Sequence, residues 1–175
     1  MTTMILNSIT AVGAAIGIAF SSITGVDMNA YEDKALTRLS ESEAASHALH
    51  VFMRADRNMD QKLDVDEFAA LSIVTAELAH LNGFIAIDNG GAVRTIALPV
   101  VAPAALSATE HTRIDAVSRH TFYAFAGEDS RLDGNEYVRL QSVVFGEADL
   151  NGNGALAKKE LDIFAQRQAQ LTAGV

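Results

Sequence analysis

The chain of 175 residues contains no cysteine, no tryptophan and only two prolines. The absence of cysteine excludes a disulfide framework and any metal site built on thiolates. Basic residues are also scarce, because 13 Lys and Arg stand against 22 Asp and Glu, for a formal net charge of −9. Nucleic-acid binding depends on a positive surface facing the phosphates, so this balance argues against a nucleic-acid partner. The excess of carboxylates suits a divalent cation better.

Charged side chains are missing altogether from residues 1–26. Residues 9–20 would serve as the apolar core of a cleaved export signal, and Ala19-Phe20-Ser21 offers a small-x-small cleavage site, although no Lys or Arg precedes it. The segment is also long enough for a retained membrane or complex-embedded helix, since about 20 apolar residues span a bilayer. We therefore expect an exported, periplasmic or membrane-associated protein.

Two periodicities within residues 1–26 keep other interpretations open. Small residues recur every four positions, as in membrane helices that approach closely, at Gly13, Gly17, Ser21 and Gly25. Apolar residues from Ile5 to Val26 recur at alternating steps of four and three, which is the seam of a helix that packs on another helix. The segment is therefore interpreted as a signal peptide, a helix embedded in a membrane or complex, or a packing helix. Any contact of this protein with a membrane or membrane complex is expected through these residues.

Oxygen-bearing side chains recur at fixed intervals in two segments, residues 56–67 and 149–160. In both, positions 1, 3 and 5 carry Asp or Asn, position 8 is Leu and position 12 is Glu. Calcium takes about six to eight oxygen ligands, which a tight loop supplies from alternate side chains, one backbone carbonyl at position 7 and a bidentate Glu at the end. The expected ligands are Asp56, Asn58, Asp60, the Lys62 carbonyl, Asp64 and Glu67 in the first loop, and Asp149, Asn151, Asn153, the Ala155 carbonyl and Glu160 in the second.

The spacing of these ligands resembles the EF-hand superfamily. The resemblance implies an all-α fold of helix-loop-helix units, with Ca²⁺ as the bound ion, over roughly residues 40–81 and 107–172. Gln61 departs from the pattern at position 6, where a glycine is expected, and Ala157 offers no ligand at position 9. Loop 56–67 has four carboxylates, so we expect it to bind more tightly than loop 149–160, whose affinity should lie near the weak end of about 10⁻⁴–10⁻³ M.

A third, degenerate copy of the loop occupies residues 125–136. Asp129, Leu132, Asp133 and Glu136 stand at positions 5, 8, 9 and 12, but Phe125 and Gly127 provide no oxygen at positions 1 and 3. It begins 24 residues before Asp149, so a single helix must leave one loop and enter the next, as in bacterial EF-hand proteins with closely spaced hands. We expect this loop to hold no ion and to pair with the last loop through a short β contact between Leu132 and Leu156.

Local signals predict the elements around these loops. Capping boxes at Ser40–Glu43 and Ser107–Glu110 predict helix starts, and Asn82-Gly83 predicts a helix end. The first helix should bury Ala44, Ala48, Leu49 and Phe52 and run to Asp56; the last two should cover residues 134–148 and 158 to about 170. Two β-rich runs around Asn89-Gly90-Gly91 predict a hairpin within an insert at residues 83–103. The resulting domain map is an apolar segment at 1–26, a linker at 27–39 and an EF-hand domain at 40–175.

The expected function is non-enzymatic calcium binding that is structural or buffering. No nucleophile elbow or phosphate loop accompanies the acidic loops, so we expect no catalytic activity. The alternative is a membrane-anchored structural subunit of a larger complex, held by residues 1–26, in which calcium completes the fold. The identity of a protein partner is not encoded in any motif of the chain. No Met follows Met59, so the adaptable Met-rich groove of a calcium sensor is not expected.

Overall fold

A computed structural model describes residues 34–99 and 104–169, and the three interpretations of residues 1–26 lie outside this range. The described part is mostly helical, with a small antiparallel hairpin. Its helices are α1 (Glu41–Ala55), α2 (Val65–Asn82), α3 (Ala108–Phe125), α4 (Gly134–Ala148) and α5 (Lys159–Gln168). Helix α1 packs against α4, and α2 packs against α3. None of the described helices is long and apolar enough to cross a membrane.

Side-chain caps explain where most of these helices begin. Ser40 and Ser107 cap α1 and α3, and each forms a box with the Glu three residues later, as predicted. Asp64 and Asp133 cap α2 and α4 in the same way. Gly83 ends α2 in a left-handed conformation, with φ of 70°, which glycine adopts without steric cost. Local side-chain and backbone interactions therefore determine most of the helix boundaries.

The strands are β1 (Arg38–Ser40), β2 (Lys62–Leu63), β3 (Phe84–Ile87), β4 (Arg94–Ala97), β5 (Leu132–Asp133) and β6 (Ala155–Ala157). The predicted hairpin is confirmed, because β3 and β4 pair antiparallel with Phe84 opposite Ala97. The other four strands form two small antiparallel ladders, β1 with β6 and β2 with β5. Each of these two ladders joins segments that are distant in sequence.

The predicted pairing of the middle and last loops is wrong. Leu132 lies opposite Leu63 of loop 56–67, and Leu156 lies opposite Leu39. All four leucines are fully buried. Burial of each apolar side chain against its partner fixes the register, since a slip of one residue would turn it toward solvent. The degenerate loop is therefore the partner of the first acidic loop.

Residues 34–39, the last part of the predicted linker at 27–39, are paired with strands of the folded domain. Leu36 N–H donates to Thr95 O (2.8 Å) and Thr95 N–H donates to Lys34 O (3.0 Å), which fixes this segment along β4. Strand β1 then pairs with β6. Leu39, Ser40 and Glu43 stand in the same spacing as Leu63, Asp64 and Glu67 and as Leu132, Asp133 and Glu136. The segment thus supplies the last part of a fourth loop-like unit, which pairs with the last loop.

Two main cores lie beneath the two ladders. One surrounds Leu39 and Leu156 and includes Phe145, Phe164 and the hairpin. The other surrounds Leu63 and Leu132 and includes Phe52, Phe68, Phe122 and Tyr137. Burial raises the pKa of the Tyr137 hydroxyl. Leu49, which the helical spacing placed in the core, is 43% exposed and lies at the edge of the α1–α4 contact, next to Gly134 at the start of α4.

Candidate functional site

The first three ligand-type side chains of loop 56–67 turn inward and organise the loop backbone. Asp56 accepts hydrogen bonds from Asp60 N (3.2 Å) and Gln61 N (2.8 Å). Asn58 Oδ1 accepts one from Asp60 N (2.8 Å), and Asp60 Oδ1 accepts one from Lys62 N (3.0 Å). These hydrogen bonds curl the loop backbone around the side-chain oxygens of Asp56, Asn58 and Asp60. This is the geometry expected when alternate side chains of a tight loop face inward.

Glu67 closes the same loop from its far end. Only 9% of the residue is exposed, which is unusual for a carboxylate. Its Oε1 accepts from Arg57 N (3.0 Å) at the start of the loop, and its Oε2 accepts from Asp64 N (3.1 Å) near the end. One buried carboxylate therefore ties together both ends of the loop.

Loop 149–160 repeats this geometry with different side chains. Asp149 accepts from Asn153 N (3.2 Å) and Gly154 N (2.8 Å), and Asn153 Oδ1 accepts from Ala155 N (2.9 Å). Glu160 is 7% exposed, and its two oxygens accept from Asn151 Nδ2 (2.5 Å) and Ala157 N (3.2 Å). The two loops share both the inward arc and the buried closing carboxylate.

The backbone conformations of the two loops also agree at positions 4 and 6. Met59 and Gln61 have φ of 60° and 66°, and Gly152 and Gly154 have φ of 68° and 72°. A side chain in this left-handed region costs about 1–2 kcal/mol, a cost that glycine avoids. Loop 56–67 keeps the turn with two residues that disfavour it, which shows that tertiary packing and the inward hydrogen bonds hold it in place.

Replacing Gln61 by Gly should therefore stabilise the protein. We expect a gain of about 0.5–1 kcal/mol in the free energy of unfolding, because relief of the left-handed strain exceeds the extra entropy of glycine in the unfolded chain. Denaturant unfolding measures it. The matched control is Gly154→Gln, where no atom lies within 4 Å of an added Cβ and only backbone strain acts. A loss in Gln61→Gly or no loss in Gly154→Gln would contradict the strain argument.

The two loops differ at position 9, where the following helix begins. Asp64 accepts from Asp66 N and Glu67 N and caps α2, whereas Ala157 has no side-chain oxygen. The chain after Ala157 therefore turns through Lys158, with φ of 50°, and α5 begins at Lys159 without a side-chain cap. Loop 149–160 thus has the better residue at position 6 and the poorer one at position 9.

Loop 125–136 keeps the frame of the other two loops but, of the oxygens at positions 1, 3 and 5, only that of Asp129 at position 5. Asp133 caps α4, and Glu136 Oε2 accepts from Asp133 N (2.9 Å). Glu136 Oε1 would lie 2.9 Å from a Cβ added at Gly127, so the closing carboxylate faces the empty position 3. Asp129 Oδ1 accepts from Arg131 N (3.1 Å), as position 5 does in the other two loops, and its Oδ2 meets Lys62 of the neighbouring loop, whose ammonium lowers the pKa of this carboxyl group. Nothing at positions 1 and 3 could begin a coordination sphere.

Sequence reasoning missed the role of residues 34–43. Leu39, Ser40 and Glu43 match loop positions 8, 9 and 12, and this frame begins 24 residues before Asp56, just as loop 125–136 begins 24 residues before Asp149. The signal was hidden because positions 3 and 5 of the frame are Lys34 and Leu36 rather than oxygen ligands. A search for the Leu, cap and Glu pattern alone would have found the unit.

Within residues 34–99 and 104–169, no group of three or more His, Cys, Asp or Glu side chains stands ready as a ligand set. The loop carboxylates instead accept hydrogen bonds, mostly from backbone N–H groups of their own loops. A comparison of the chain with family models finds no match, and neither does a comparison with curated proteins or with solved structures.

Proposed function

We propose that this chain is a calcium-binding protein with EF-hand-like loops, in which Ca²⁺ at residues 56–67 and 149–160 stabilises the fold. The observation that carries the proposal is the pair of buried closing carboxylates, Glu67 and Glu160, each bonded to residues near both ends of its loop. Burying a carboxylate is costly unless hydrogen bonds or a cation compensate. A divalent ion inside each loop would add to the compensation that the hydrogen bonds to Glu67 and Glu160 already give.

The residues of both loops fit such an ion. Carboxylate, amide and carbonyl oxygens are the ligands that Ca²⁺ prefers, and both loops offer them at positions 1, 3, 5 and 12. The inward oxygens now accept backbone N–H bonds, so binding would exchange part of these contacts for the ion. Asp64 adds a carboxylate at position 9 of the first loop, whereas Lys158 and Lys159 add positive charge beside the second. The first loop is therefore proposed as the tighter site.

Calorimetric titration with Ca²⁺, with Mg²⁺ as the competing ion, tests this proposal directly. We expect two calcium ions per chain in two phases, with weaker binding of Mg²⁺, because Mg²⁺ demands near-octahedral geometry that a loop of this kind does not offer. Heats no larger than those of dilution would contradict the proposal.

Calcium should stabilise this protein rather than open it. At a hundredfold excess over Kd, we expect a gain of about 2.7 kcal/mol, which corresponds to a melting temperature higher by about 5–10 °C. A cleft between α1, α2 and the hairpin is already lined by apolar residues, including Val51, Leu71, Val74 and Leu78. Hydrophobic-dye fluorescence should therefore change little on calcium addition. A large calcium-dependent rise would instead indicate a sensor that exposes new apolar surface.

The alternative proposal is a structural subunit of a larger complex at a membrane, favoured by the 26 uncharged residues at the start of the sequence. In both proposals the protein is exported or membrane-associated and non-enzymatic. Deletion of residues 1–26 separates them, because a free binding protein would keep its calcium and its behaviour in solution. A subunit would keep calcium but leave its complex in co-purification.

A further inference from the structure

Two ion pairs connect loop 56–67 to loop 125–136 in a reciprocal way. Asp60, at position 5 of the first loop, receives Arg131 Nη1 on its Oδ2 at 2.8 Å. Asp129, at position 5 of the other loop, receives Lys62 Nζ. Arg131 and Lys62 both stand at position 7 of their own loops. Each loop thus places a cation on the inward-facing carboxylate position of its neighbour.

The β2–β5 ladder produces this exchange. Leu63 lies opposite Leu132 and Lys62 opposite Asp133, so the two loops meet next to position 7. From there the long side chains of Lys62 and Arg131 reach the position-5 carboxylate of the other loop. The other ladder brings Leu39 opposite Leu156, but position 5 on its two sides is Leu36 and Asn153, neither of which is charged. The exchange of charge is therefore a property of the first pair of loops alone among the described residues.

We propose that loop 125–136 sets the cation affinity of loop 56–67 through these two pairs. This inference rests on the proposed calcium site. Arg131 neutralises Asp60, which is one of the side chains that would bind the ion, and so weakens the site. Asp129 neutralises Lys62, whose ammonium would otherwise repel the ion, and so strengthens it. A loop without ligands at positions 1 and 3 thus acts as a fixed charge regulator of its partner.

The two pairs make predictions of opposite sign. All four side chains are between 37% and 50% exposed, and pairs so open to solvent change an affinity by no more than about fivefold. Arg131→Gln should therefore tighten calcium binding at loop 56–67 by about three- to fivefold. Asp129→Asn should weaken it by about two- to fivefold. In chelator, Arg131→Gln should not raise the melting temperature, because it removes an ion pair.

The titrations should be done in a Glu160→Gln background, so that only loop 56–67 binds. Arg167→Gln is the matched control, since it removes an arginine of similar exposure that pairs with Glu147 outside both ladders. The calcium affinity of loop 56–67 should be the same with and without Arg167→Gln. Asp60→Asn removes the target of Arg131 and gives position 5 the polarity of Asn153. In that background, Arg131→Gln should have little further effect.

The outcomes separate this inference from the proposed function. Calcium binding that depends on Glu67 but is unchanged or weakened by Arg131→Gln would overturn the inference and leave the calcium site standing. Equal tightening by Arg167→Gln, or full tightening in the Asp60→Asn background, would also overturn it, because overall charge would then explain the result. No calcium binding by the unmodified chain would remove both.

Discussion

Glu67→Gln is expected to abolish calcium binding at loop 56–67 while the chain stays folded. Glu67 is buried and closes the loop, so its replacement would remove one negative charge and the bidentate ligand of the proposed site at once. Loss of one partner of a buried charge pair costs about 3 kcal/mol, which weakens affinity by more than about a hundredfold. The tighter phase of a calorimetric titration should disappear, and circular dichroism should remain helical.

Glu160→Gln is the matched variant, because it makes the same chemical change at the same position of the other loop. The weaker phase should disappear and the tighter one should remain. The double variant should bind no calcium. An unchanged stoichiometry in the double variant would show that the ions bind elsewhere, and the assignment of both loops would be wrong.

Leu132→Ala is expected to destabilise the protein by about 2–5 kcal/mol, the usual cost of removing a large side chain from a packed core. Leu132 is fully buried opposite Leu63, in the ladder that joins the degenerate loop to loop 56–67. The same change should weaken calcium binding at loop 56–67 and leave loop 149–160 nearly unchanged. Denaturant unfolding and calorimetry measure the two effects.

Leu39→Ala is the counterpart in the other ladder. Leu39 is also fully buried, opposite Leu156, so its replacement should weaken loop 149–160 and spare loop 56–67. If either alanine variant is too unstable to study, the corresponding valine variant should show a smaller effect of the same selectivity. Equal weakening of both loops by Leu132→Ala would contradict the separation of the two ladders.

The helix ends could be predicted because their causes are local. A Ser cap and the Glu three residues later are read within four positions, and they predict the starts of α1 and α3. Asp64 and Asp133 begin α2 and α4 through the same local contacts. The hairpin was predictable for the same reason, since a turn-forming Asn-Gly-Gly lies between two short β-rich runs. The predicted start of α5 at residue 158 is one residue early, because Ala157 provides no cap and the chain turns once more before the helix.

The inward geometry of the two acidic loops could also be predicted from the sequence. The left-handed strain at position 6 of the first loop remains, because no glycine stands there to relieve it. Gln61 adopts the left-handed conformation that its position demands, because the hydrogen bond to Asp56 and the surrounding ladder hold it there. The spacing of oxygen ligands determines which side chains can meet, since alternate residues of a tight loop face the same side.

Which loop stands beside which was decided only by the tertiary structure. Leu39, Leu63, Leu132 and Leu156 occupy equivalent positions, so local pattern alone cannot choose among their pairings. The packing of α1 on α4 and of α2 on α3 brings Leu63 to Leu132 and Leu39 to Leu156. The sequence by itself determined the loops, their caps and their donor oxygens, because these depend on neighbours within twelve residues. Which loops pair depends instead on the burial of apolar side chains from segments that are far apart in the sequence. The pairing then decides which carboxylates Arg131 and Lys62 contact across the ladder.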